Sequence, residues 1–155
     1  MSGDELKHVM QRYPTGVAVV TVDLEGEQLG LTVASLVSVA LEPPLVAISI
    51  AHQAALHELL RSAGGFALSL LSAEQGHLAQ HFARGVPPIA LWQGIDKRDG
   101  PRGPLLADAV GWLDCVLAAE HEAGDHTLFV GGVERAEPGV QATPLVRLGG
   151  DYGAA

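Results

Sequence analysis

Hydrophobic and polar positions divide the first half of the chain into short apolar runs separated by turn residues. Leu6, Val9 and Met10 fall on one side of Asp4 to Arg12, which predicts a short N-terminal helix. Tyr13-Pro14-Thr15-Gly16 ends it, because the residue before a proline is pushed out of the helical region. Val17 to Val22 is rich in β-branched side chains and reads as a strand. Glu25-Gly26-Glu27 is a hairpin turn, and Leu29 to Val39 is the returning strand, broken at Glu42-Pro43-Pro44. Leu45 to Ile50 is apolar on both faces, as a buried third strand is.

In the second half, Leu56, Leu59 and Leu60 give His52 to Ser62 a helical core face, closed by Gly64-Gly65. Phe66 to Leu71 is a fourth strand. Ser72 and Gln75 match a capping box, which predicts a helix from Ala73 to Phe82. Arg84 to Pro104, rich in Gly and Pro, reads as a surface loop, although Trp92 is unusual in a solvated segment. Gly111 to His121 and His126 to Ala136 are long strands joined by Glu122-Ala123-Gly124-Asp125, and Pro144 to Leu148 is a last short one. Six or seven strands with two or three short helices predict a mainly β, closed or nearly closed antiparallel barrel, as a single domain over residues 1–155.

Composition narrows the partners. The chain is 48% apolar and 17% charged, a globular balance. Its net charge of -9 argues against nucleic acid or an anionic membrane as the main partner, since both require basic patches. A bound phosphate must therefore be held locally, by backbone amides or a few cations. The single cysteine, Cys115, lies in an apolar stretch and is expected to be a buried, inert thiol. Met1 to Arg12 lacks the apolar core of a signal peptide, and Leu29 to Leu41 is too short for a spanning helix, so a cytoplasmic location is expected.

Four segments carry candidate chemistry. Gly124-Asp125-His126 opens directly into an apolar strand; a histidine beside a carboxylate has a fixed tautomer, which makes His126 the leading working residue, the alternative being a plain turn. In Gly30 to Ser35, Thr32 and Ser35 are either ligand hydrogen-bonders or tolerated strand hydroxyls. At Ser49-Ile50-Ala51-His52-Gln53 a buried strand turns into a helix, where free amides and His52 can meet an anion or simply cap the helix. In Gln80 to Gly85, Phe82 lines an aromatic ligand or fills core. There is no GxGxxG, P-loop, CxxC, HExxH or GxSxG. His77 and His81 lack a third ligand, and no metal is expected.

Taken in order, Tyr13 to Thr21, Gly30 to Leu36, Ser38 to Val46, Phe66 to Leu71, His81-Phe82-Ala83, Gly124-Asp125-His126 and Gly149-Gly150-Asp151-Tyr152 resemble the short-chain NAD(P)H:flavin oxidoreductases, the reductase components of two-component flavin monooxygenases. The resemblance implies an FMN-binding split β-barrel of Greek-key topology with a few flanking helices. It implies a homodimer, FMN or FAD as flavin, NADH or NADPH as hydride donor, and a flavin-dependent monooxygenase as partner. By the same resemblance Thr32, Val33, Ala34 and Ser35 contact the flavin. Ser49, Ile50, Ala51, His52, Ala55 and Leu56 surround its phosphate and ribityl chain. Phe82 and Ala83 lie near it, His126 on the nicotinamide side and Tyr152 near the mouth. Two departures concern cofactor identity: His52-Gln53-Ala54-Ala55 holds only His52 where the family has basic or hydroxyl residues, and Ala34 replaces a hydroxyl. The alternatives are an FMN-retaining electron carrier and a split barrel that binds a non-flavin ligand such as heme.

Overall fold

A computed structural model describes residues 1–155. Helix α1 (Gly3–Met10) starts at Ser2, whose hydroxyl accepts from the Glu5 amide, and carries Asp4 and Glu5 where the helix dipole favours acids. Strand β1 (Thr15–Gly16) precedes β2 (Ala18–Leu24), which returns as β3 (Glu27–Val33). Glu25 and Gly26 both have positive φ, 55° and 90°, the pattern of a type I′ hairpin turn whose twist matches the strands it joins. Strand β4 (Val37–Leu41) and β5 (Pro44–Ala51) form the next hairpin. Helix α2 (Ala55–Ala63) ends at Gly64, which takes the left-handed conformation (φ 70°) and passes the chain into β6 (Gly65–Leu70). Helices α3 (Gly76–Ala83) and α4 (Pro88–Leu91) and short strands β7 (Lys97–Arg98) and β8 (Leu105–Leu106) follow. Long strands β9 (Gly111–Ala123) and β10 (His126–Pro138) lead to β11 (Leu145–Leu148) and β12 (Asp151–Ala154).

The main sheet has seven strands in the order β3-β2-β6-β9-β10-β5-β4, every neighbouring pair antiparallel. Its two edge strands, β3 and β4, are consecutive in the chain and joined only by Ala34-Ser35-Leu36. Laid flat, seven strands would put those edges about 29 Å apart. The extended link reaches about 14 Å at most. The sheet must therefore roll until its edges face each other, which makes a barrel split along the β3/β4 seam. A second sheet, β1-β11-β12, flanks it.

Inside, Val19, Val20, Ile48, Ile50, Phe66, Leu68 and Phe129 are buried in one cluster, with Leu56 and Leu60 of α2 packed onto it. Each such side chain contributes roughly 1.5–3 kcal/mol through removal from water. Cys115 belongs to this cluster, buried as expected, and burial pushes its thiol up to about 12.

Several expected boundaries shift. The strand expected over Leu29 to Val39 is two strands, because the chain must cross the seam at Ala34-Ser35-Leu36. The helix expected from Ala73 begins at Gly76. Ser72 is held in a bridge with Pro144, the Ala73 amide donates to the Thr143 carbonyl, and the Gln75 amide closes a turn back onto the Ser72 carbonyl, so tertiary pairing holds residues 72–75 in a bridge and turn ahead of the helix. Half of the capping box survives, the Ser72 amide donating to Gln75 Oε1 at 2.9 Å. The helix expected from His52 begins at Ala55. The expected loop over Arg84 to Pro104 contains α4, and Trp92 is anchored there by donation to the Gln28 carbonyl at 2.9 Å. Strands β1, β7, β8 and β12 are additions to the expected set.

One buried group works against this fold. Asp114 of β9 is 2% exposed and its Oδ1 has no hydrogen-bond partner. Nearby arginines are engaged elsewhere, Arg102 with Glu134 and both Arg98 and Arg135 with Glu137. Burial consequently raises the Asp114 carboxyl above the usual range, against the pull of Arg135, Arg98 and Arg102. The folded state thus binds this proton more tightly than the unfolded chain does. The group's stabilising contribution is complete below the unfolded pKa and is lost as pH rises through the raised folded value. Asp114→Asn removes that dependence, so the melting temperature of the variant minus that of the wild type should increase as pH is raised from about 3.5 to about 7. A difference constant with pH, measured by thermal unfolding, would contradict the buried-charge account.

Candidate active site

The split between β3 and β4 opens into a cleft of about 530 Å³. Its inner wall is built from Leu31, Thr32 and Val33 at the end of β3, Ala34 and Ser35 in the seam, and Ser49, Ile50 and Ala51 at the end of β5. The β5–β10 register sets Ala51 opposite His126, Ile50 opposite Thr127 and Ser49 opposite Leu128, which brings the start of β10 to the same place. Lys7, Met10 and Gln11 of α1, Tyr13, Thr15, Arg147 and Gly149-Gly150 form the mouth.

The wall hydroxyls hold the cleft together. Ser35 Oγ accepts from the Ser49 amide at 3.0 Å and donates to the Ser49 carbonyl at 3.2 Å, pinning the seam to β5. Thr32 Oγ1 donates to the Ala79 carbonyl at 2.6 Å, tying β3 to α3. Both hydroxyl hydrogens are thus spent within the fold, leaving a ligand the oxygen lone pairs and the space above Ala34 and Ala51.

His126 is about 43% exposed in its side chain, with Nδ1 2.7 Å from Asp125 Oδ1. A carboxylate only accepts, so Nδ1 carries the hydrogen and Nε2, with no partner in the protein, is the free position. The same bond holds the Asp125 carboxyl below its ordinary range.

A smaller cleft of about 380 Å³ adjoins the first at Leu31 and is lined by Ala55, Leu56, Phe82 and Ala83 together with Gln53, Ala54, Val86, Pro87, Pro88 and Leu91, with no charged side chain. Phe82 packs edge-on against His81 (5.0 Å) and beside Trp92 (5.3 Å). The rings fix one another and hold the wall rigid.

Of the residues singled out in the sequence, Thr32, Val33, Ala34, Ser35, Ser49, Ile50, Ala51 and His126 share the larger cleft, and Ala55, Leu56, Phe82 and Ala83 the smaller. His52 lines neither. Its Nε2 is 2.8 Å from Glu122 Oε2, and its ring stands edge-on to buried His57. Glu122 is tied further into this flank by donation from Thr127, which also meets His57 Nε2 at 2.7 Å. Tyr152 sits on β12 opposite Arg147 and packs against the core instead of lining the cleft.

Sequence reasoning missed the mouth. Tyr13, Thr15 and the Gly149-Gly150 turn were visible as motif segments, whereas Lys7, Met10, Gln11 and Arg147 belong to no motif. Thr15 Oγ1 is buried without a hydrogen-bond partner, and the cleft lining contains Lys7, Arg147 and His126 but no carboxylate. Small residues along one wall and cations at the mouth suit a planar ligand with an anionic tail.

Residues 10–155 match the family model described as a flavin reductase like domain. The chain is 38% identical over 144 residues to the reductase component of 4-hydroxyphenylacetate 3-monooxygenase from Thermus thermophilus, covering 92% of this chain and 90% of that protein. It is 41% identical over 134 residues to an NADH-dependent FAD reductase from Streptomyces globisporus, covering 83% and 72%. Among solved structures, the flavin reductase component of a bacterial two-component tryptophan halogenase superposes with a TM-score of 0.91 at 32% identity, covering 99% of this chain and 98% of that one. With a family model spanning nearly its whole length and relatives 38% and 41% identical over most of both chains, this chain belongs to the flavin reductase family.

Proposed function

We propose that the protein reduces a flavin, FMN or FAD, with NADH and hands the reduced flavin to a monooxygenase component. The observation that carries this reading is the seam cleft: a wall of small and apolar residues facing an oriented histidine, free of carboxylates, in a chain of the flavin reductase family. When bound together, nicotinamide and flavin supply the chemistry themselves, a hydride passing from nicotinamide C4 to flavin N5. The protein's task is to hold and orient them.

Thr32, Val33, Ala34 and Ser35, with Ser49, Ile50 and Ala51, form the flavin wall, rigid because Ser35 and Thr32 are tied to Ser49 and Ala79. Ala55, Leu56, Phe82 and Ala83 receive the adjoining part of the flavin. His126 is the positioning group on the nicotinamide side: Asp125 fixes its ring and leaves Nε2 to accept from the donor amide. Leu31, Val33 and Ile50 exclude water from the wall.

A homodimer is part of this reading. Leu6, Val9, Met10 and Tyr13 are each at least half exposed, and so are Val37 and Val39 on the β4 edge. Apolar stripes on a helix and a sheet edge suit burial against a second copy.

Loss of nicotinamide absorbance should depend on added FMN, FAD or riboflavin, with NADH preferred to NADPH; no turnover with any pair would refute the reductase reading. His126→Ala should lower kcat/KM for NADH by about ten- to a hundredfold while flavin affinity stays nearly constant. An unchanged rate would remove His126 from the site. Light scattering should give twice the chain mass of 16.1 kDa, and a monomer of full activity would exclude the dimer.

A further inference from the structure

We propose that Lys7 and Arg147, together with Thr15 of the same cleft, form a phosphate-binding pair for the nucleotide substrate; the choice of ligand rests on the reductase reading above. The chain has nine Lys and Arg residues. Arg61, Lys97, Arg98, Arg102 and Arg135 are each paired with a carboxylate. Lys7, Arg12, Arg84 and Arg147 have no such partner, and of these four Lys7 and Arg147 line the seam cleft although they come from separate elements, α1 and β11. Against 18 acidic residues in the chain, none lines this cleft.

Two uncompensated cations facing one concavity in a protein of net charge -9 create a local positive potential that concentrates an anion there. Thr15 stands opposite Arg147 in the β1–β11 pairing, and its buried hydroxyl has no partner within the protein. An orphaned hydroxyl beside an unpaired guanidinium is a donor set for a phosphate oxygen. The competing positions are weaker. The smaller cleft has no charged side chain, and His52 is engaged by Glu122.

The chemistry shared by the possible ligands is a phosphate ester, either the flavin monophosphate or the pyrophosphate of the nicotinamide dinucleotide. Binding without turnover separates them. Dissociation constants are measured for FMN and riboflavin by flavin fluorescence and for ADP-ribose by calorimetry, on the full chain and on the double variant Lys7→Met, Arg147→Met. Both positions are exposed, so the fold should survive, and circular dichroism checks it. FMN or ADP-ribose should weaken about tenfold or more in the variant while riboflavin is unchanged. The salt dependence of that ligand's affinity should flatten, and the charge-retaining pair Lys7→Arg, Arg147→Lys should restore binding.

Selective loss of FMN assigns the pair to the flavin phosphate, and selective loss of ADP-ribose to the hydride donor. Equal weakening of FMN and riboflavin, no change in either phosphate-bearing ligand, or a wild type that binds neither overturns the pair. Absence of turnover with every flavin would refute the reductase reading while leaving these affinities to judge the pair.

Discussion

The three-residue link between β3 and β4 is the constraint on which this molecule depends. It ties together strands that lie at opposite edges of a seven-stranded sheet, so a flat sheet is impossible and the barrel must roll. The roll encloses the apolar cluster around Phe66 and Phe129. It also leaves the two edges unpaired with each other, and the resulting seam is the cleft. Ser35 completes the closure by hydrogen-bonding Ser49 through both its capacities, as a strand neighbour would. Core and site are therefore consequences of one connection.

This origin explains what the cleft offers chemically. Its wall is made of strand ends and a bend, positions where small residues let the backbone pass closely and hydroxyls are needed to hold the turn. No pair of titratable groups is poised for acid–base work. Asp125 and His126 form an orienting pair at the rim, with the carboxyl drawn down by the histidine it holds. Such a site suits a reaction whose electrons move between two bound cofactors, where orientation is the protein's main contribution.

Charge is distributed with the same economy. Most cations are neutralised on the outer surface, as in Arg61 with Glu58 and Glu120 or Arg102 with Glu134. Exposed pairs of this kind add little stability individually. Their effect here is to leave the mouth of the cleft as a place where positive charge is not cancelled. Asp114 is the opposite case, an acid buried beside arginines that are already committed, its carboxyl raised above the usual range by burial.

Local sequence determined the strands at Val17–Val22, Leu45–Ile50 and Phe66–Leu71 and the paired long strands on either side of Gly124, whereas the cleft segments Thr32–Ser35 and Ser49–Ala51 were pointed to by family resemblance and not settled by local pattern. Runs of β-branched residues, proline breaks and turn glycines act over a few residues, and those strands are set at that range. The bend at Ala34-Ser35-Leu36 was invisible, because its residues fit a continuing strand and only sheet closure demands the break. Ser72 and Gln75 carried a helix-start pattern that pairing with Pro144 and Thr143 overrode. His52 read as the phosphate cation until folding set it against Glu122. Lys7, Thr15 and Arg147 converge from α1, β1 and β11, and a side chain left without a partner is recognisable only once every other pairing is made. Tertiary structure alone decided the mouth of the site for that reason: uncompensated charge is a property of the assembled surface and not of any segment of the chain.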